Sequence, residues 1–122
     1  MAGKRVEFVD DSGHVVTLHF EHWLPRFLMM FTGGVNLCIT ISAKHILIAR
    51  TWITRKTLSH EMGHVLRQAI RLGWKYLPWV LGHYGVQGYE KSRPEREADE
   101  HMLATYLTYP DIGEVPPWVL RE

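Results

Sequence analysis

His60, Glu61 and His64 stand at the spacing H-E-x-x-H, and on a helix that spacing can make a metal site. Residues four apart are turned by only about 40° and displaced by about 6 Å, so both imidazoles project from one side and can reach a single ion. Glu61 lies about 100° round from His60, on the flank of that side, where its carboxylate can act as a base on water beside the ion. A catalytic zinc takes three protein ligands and leaves a fourth position open. A later stretch, Pro94-Glu95-Arg96-Glu97-Ala98-Asp99, offers the third. Glu95 and Asp99 are four apart on one helical face, so one can bind the metal while the other accepts the free ring N–H of a ligand histidine. Glu97 falls on another face, and the register with Asp99 favours Glu95 over it. Ser92-Arg93-Pro94-Glu95 also fits an S-x-x-E capping box, a purely structural use of the same carboxylate.

The elements that must carry these residues are legible in the periodicity. Leu58, Met62, Val65, Ala69 and Leu72 fall on one helical stripe, which predicts a helix from Thr54 to Leu72 with Gly73 ready to end it. Pro94 to Thr108 reads as a later helix stopped by Pro110, and Trp74 to Gly88 as a short aromatic-rich helix with irregular ends, Trp74, Leu77, Trp79, Val80 and Leu81 being expected to cover the core rather than contact lipid or a cofactor. Upstream the period is two. Val6 to Val9 and Val15 to Phe20 form a predicted hairpin around Asp10-Asp11-Ser12-Gly13, with Val16, Leu18 and Phe20 on one face. Trp23 to Phe31 suits a short helix. Asn36 to Ile41 and His45 to Arg50 read as a second hairpin, and Asp111 to Glu122 as an extended tail. The expected architecture is a single α+β domain over 1–122: mainly sheet with one short helix over 1–53, a helical metal-binding part over 54–109, and the tail over 110–122. A small, twisted, mostly antiparallel sheet should pack on the H-E-x-x-H helix, with two further helices closing the other side.

Composition narrows the chemistry. A chain of 122 residues with 46% apolar content suits one domain. Cys38 is the single cysteine; it excludes an intramolecular disulfide and a thiolate-rich zinc finger, and its apolar neighbours mark it as a buried small hydrophobe. Any metal is therefore held by nitrogen and oxygen, and the 8 histidines make that feasible. The formal charge of +1 points to neither nucleic acid nor membrane. The first residues lack a secretory signal pattern, and no uncharged apolar run reaches the ~18 residues of a membrane span. A soluble, cytoplasmic, monomeric protein with no membrane and no nucleic-acid partner is expected.

An H-E-x-x-H helix followed by E-x-x-x-D on a later helix resembles the gluzincin clan of metallopeptidases, the thermolysin-like group. The 30 residues between His64 and Glu95 resemble the short connection of its minimal members, the minigluzincins. The resemblance covers Thr54 to Tyr109 and rests on His60, Glu61, His64, Glu95 and Asp99. It implies a zincin-like fold, zinc held by His60, His64 and Glu95, Asp99 orienting a histidine, His60 first among the two, and Glu61 as general base in the hydrolysis of a peptide or protein. It also implies that an extended substrate lies along an edge strand, either Asn36 to Ile41 or His45 to Arg50.

Developing negative charge on a peptide oxygen calls for a further donor. His83, Tyr84 and Tyr89 lie between the ligand helices and are candidates, as are His101 and Tyr106; each competes with an ordinary packing role. His14, His19, His22 and His45 belong to strands or their ends and read as solvated or packed. Two other functions fit the same sequence. One is a zinc-binding domain without turnover, structural or occluded by the tail. The other is a nucleic-acid binder using Arg50, Arg55, Lys56, Arg67, Arg71 and Lys75, which the acidic stretch from Glu90 to Glu100 and the absence of a known motif oppose.

Overall fold

The computed structural model describes residues 4–32, 38–88 and 92–114. The fold is α+β. Strands β1 (Arg5–Val9) and β2 (Val15–His19) pair antiparallel. Asp10 holds the turn between them, its Oδ1 accepting from the backbone N–H of Ser12 and His14 at 3.0 and 2.9 Å. Helix α1 (Trp23–Thr32) leads to a second hairpin of β3 (Cys38–Ser42) and β4 (His45–Ile48). The hairpins join through a parallel pairing of β2 with β4, giving a mixed sheet of order β1-β2-β4-β3. Among the described residues β3 is thus an edge and β4 is interior.

Alternation dictates which face is buried. Val16, Leu18 and Phe20 point inward as their spacing predicts, and with Ile46 and Ile48 they meet Leu58, Met62 and Val65 of the helical layer in one core. Helix α2 (Arg55–His64) begins at Thr54, whose hydroxyl oxygen accepts from the Thr57 N–H at 3.4 Å. Asp111 accepts from the Arg55 N–H at 2.8 Å, satisfying another donor of that first turn. The stripe Leu58, Met62, Val65, Ala69 is fully buried.

The helix is not regular to its end. Val65–Ala69 is a π-helical turn, with the Ile70 N–H reaching back to the Val65 carbonyl, before the short α3 (Ile70–Leu72). Gly73 then takes φ +58°, a conformation glycine accepts freely, and the chain turns through Gly73–Lys75 into α4 (Tyr76–Gln87). Here the structure corrects an expectation: Tyr76 and Val80 are buried and Trp79 packs beside them, whereas Trp74, Leu77 and Leu81 are exposed by 83%, 39% and 59% and do not cover the core. α5 (Arg93–Thr105) and a 3-10 turn (Tyr106–Thr108) follow. The start of the tail is also more structured than an extended surface run, because β6 (Ile112–Gly113) pairs antiparallel with a short β5 (Trp52–Ile53). The tail residues Val115, Trp118, Val119 and Leu120 lie outside the described residues.

Candidate metal centre

The site depends on how closely α2 and α5 approach. A Cβ at Gly63 would lie 2.9 Å from the Ala98 Cα and 3.1 Å from its carbonyl oxygen, so a residue without a side chain is what lets the two helix backbones touch. That contact falls between His60 and His64 on one helix and between Glu95 and Asp99 on the other. All four side chains meet there.

The Glu95 carboxylate bridges the two imidazoles, with Oε1 3.0 Å from His60 Nε2 and Oε2 2.8 Å from His64 Nε2. Glu95 and His64 are buried, and His60 is partly so. The remaining ring nitrogens are also engaged. His60 Nδ1 lies 2.8 Å from Asp99 Oδ1, and His64 Nδ1 lies 3.0 Å from Gln68 Oε1. Gln68 is fully buried and its amide N–H groups donate to the Pro94 carbonyl at 2.9 Å and to Glu97 Oε1 at 3.0 Å. With that amide committed as donor, its oxygen must accept, so His64 carries a proton on Nδ1 and turns Nε2 inward.

The electrostatics follow from this crowding. Burial works against a charged His60 ring, but the hydrogen bond to Glu95 and the charges of Glu61, Glu95 and Asp99 outweigh it and raise its pKa to about 9. His64 is raised in the same way: burial opposes its charge, while Glu95, Glu61 and Gln68 favour it. Protonated rings are what a carboxylate cluster gathers when nothing else neutralises it. A divalent cation could replace those protons. One donor atom each from His60, His64 and Glu95 lies within 4.8 Å of the other two, and two imidazoles with a carboxylate suit a borderline cation. These three residues could hold a metal ion.

Glu61 sits beside the three and does not join the bridge. It is buried, and its Oε1 accepts from the Thr40 hydroxyl on β3 at 2.8 Å. Burial pushes its pKa up, with His64, His60 and the Thr40 hydrogen bond pulling the other way. Glu97, the alternative ligand, instead binds Gln68 and Arg93, the latter at 3.2 Å. Ser92 is the N-cap residue of α5 but makes no capping hydrogen bond through its side chain.

The proposed donors to a developing oxyanion fare differently. His83 is held on its own helix, Nδ1 2.9 Å from Gln87 Oε1 and its ring 4.7 Å from that of Trp79. Tyr89 and the Tyr84 side chain lie outside the described residues. His101 hydrogen-bonds the Tyr109 hydroxyl at 3.1 Å, and Lys56 lies over the Tyr106 ring at 5.4 Å. His101 and Tyr109 line a cleft of about 420 Å³ between the first hairpin turn and the end of α5, whose lining includes none of the metal-site side chains. Cys38 is buried, as its neighbours predict.

Sequence reasoning missed Gln68 and Thr40. Gln68 carried a usable signal, since it stands four residues after His64 and so on the same helical face. Thr40 carried none, because its contact depends on how the sheet docks. Comparison with protein-family models, with curated proteins and with solved structures finds no match to this chain.

Proposed function

We propose that the chain is a zinc-dependent metallopeptidase whose ligands are His60, His64 and Glu95 and whose general base is Glu61. The observation that carries this reading is the pairing of roles at each ring: both Nε2 atoms converge on Glu95 while both Nδ1 atoms are already bound by Asp99 and Gln68. That is the arrangement that leaves Nε2 lone pairs for a metal once its protons are displaced. Zinc suits this donor set, and when bound it supplies a Lewis-acidic centre that makes water a better nucleophile and polarises a peptide carbonyl.

The chain's own residues account for the rest. Glu61, its pKa raised by burial, takes the proton from attacking water and returns it to the departing amine. Thr40 fixes the carboxylate rotamer through Oε1. Because Thr40 belongs to edge strand β3, an extended peptide added to that strand would run beside the base, its backbone held by strand pairing.

A second reading, metal binding without turnover, draws on the near-complete burial of Glu61, 5% exposed. Peptide hydrolysis by zinc-loaded protein, compared with Glu61→Gln, separates the two. The peptidase reading expects turnover that falls by about 100-fold or more in the variant while zinc content is kept. Equal rates, or no hydrolysis in either, leave metal binding alone.

A further inference from the structure

Helix α4 (Tyr76–Gln87) is apolar on nearly every side, a pattern that belongs to a helix surrounded by apolar material. Only part of it is so surrounded. Tyr76 and Val80 face the protein, while Trp74 in the preceding turn, Leu77, Leu81 and Val86 are exposed, Trp74 by 83% and Val86 by 88%. Pro78, Gly82 and Gly85 are exposed as well, so no charged side chain interrupts this outer face between Tyr76 and Gln87.

The charge around the helix selects what covers it. From Met62 to Tyr89 the sequence contains no Asp or Glu, yet it carries Arg71 and Lys75, besides Arg67, which pairs with Glu100 of α5 at 3.5 Å. Arg71 and Lys75 are exposed just ahead of α4, and Lys75 lies 5.7 Å from the Trp74 ring, as in side chains that keep a charged head at a polar boundary. The molecule as a whole is nearly neutral at +1, so this is a local basic rim on an apolar face. Twelve residues rise only about 18 Å, well short of a ~30 Å hydrocarbon core, and no described helix is long and apolar enough to cross a membrane. An interfacial helix needs no such length. Because the protein covers the Tyr76 and Val80 side of α4, the exposed side offers an apolar face with a tryptophan and cations beside it, features shared with interfacial segments.

We infer that the outer face of α4 docks on an anionic lipid surface, with Trp74, Leu77 and Leu81 in the acyl boundary and Arg71 and Lys75 against the headgroups. This departs from the expectation of no membrane partner, which rested on the near-neutral charge, the lack of a spanning segment and the expected burial of Trp74, Leu77 and Leu81 in the core; these three are exposed. It is independent of the metal site.

The test is sedimentation of the full-length chain with vesicles of phosphatidylcholine alone and of phosphatidylcholine with 30% phosphatidylglycerol. Binding is expected to the anionic vesicles, weakened by salt. Leu81→Glu, at an exposed position where folding is not at stake, should lower the partition coefficient about tenfold or more, and the Arg71→Glu/Lys75→Glu pair should abolish the preference for anionic lipid. Absence of vesicle binding overturns the inference, as does binding that neither variant changes. A chain that self-associates in solution through this face, with Leu81→Glu restoring the monomer and no lipid bound, also overturns it in favour of a second copy.

Discussion

Asp99 and Gln68 do for His60 and His64 what neither imidazole can do alone: they choose the nitrogen that carries the proton. Replacing either, as Asp99→Ala or Gln68→Leu, should weaken zinc binding by about 10 to 100-fold in a competition titration. Glu95→Ala removes the proposed third ligand and should lose more, whereas Glu97→Ala, which touches the site through Gln68, should change affinity by no more than about threefold; the reverse ranking would move the third ligand to Glu97. In metal-free protein the raised pKa of His60, about 9, sets a direction for stability. A ring that binds its proton more tightly when folded contributes stability that is fully present below the unfolded value of about 6.5 and is lost as pH rises through about 9. Urea midpoints of chelator-treated protein should therefore fall between those values, and a flat or rising profile would contradict the carboxylate-bound ring. At this scale the sequence was informative wherever partners share a helix. His60 and His64 were readable from spacing, as was the preference for Glu95 through its register with Asp99. Thr40 was not, since nothing local to a strand residue says which helix it will meet.

Helix α2 is placed by contacts that tolerate little change. Gly63→Ala would gain up to ~1 kcal/mol of helix propensity but would drive a methyl group into Ala98. Overpacking of this kind costs about 1–3 kcal/mol, so urea unfolding should show a net loss, accompanied by weaker zinc binding as α5 is displaced. Stability equal to or above the wild type would mean that the helices separate freely. Asp111 is a second anchor, since it accepts from the Arg55 N–H and pairs with its guanidinium at 3.7 Å. Asp111→Ala should cost about 0.5–2 kcal/mol, the range for losing a helix N-terminal acceptor, measured by the same unfolding. The extent of the helical layer was readable from the apolar stripe, but the π-helical turn at Val65–Ala69 was not, because a single wide turn leaves a 3.6-residue pattern almost unaltered. The exposure of Leu77 and Leu81 was hidden for a related reason. Hydrophobicity says that a face should be covered and does not say by what.

For the molecule as a whole, the two hairpins were visible in the turn chemistry and alternation of their strands, but the parallel joint between β2 and β4 was not, since it pairs segments separated by α1. That joint makes β3 the edge among the described residues and sets Thr40 against Glu61, so the placement of the Glu61 carboxylate depends on long-range topology as well as on the H-E-x-x-H helix. The metal reading has a global consequence: a ligand that binds only the folded chain stabilises it by about 2.7 kcal/mol at a hundredfold excess over Kd, so chelation should lower the melting temperature of zinc-loaded protein and added zinc should restore it. The most direct test is zinc stoichiometry by elemental analysis after reconstitution and dialysis, on the wild type and on the His64→Ala and Glu95→Ala variants. One zinc per chain in the wild type, with most of it lost from each variant, is the predicted result; no zinc in the wild type, or full content in both variants, would contradict the site.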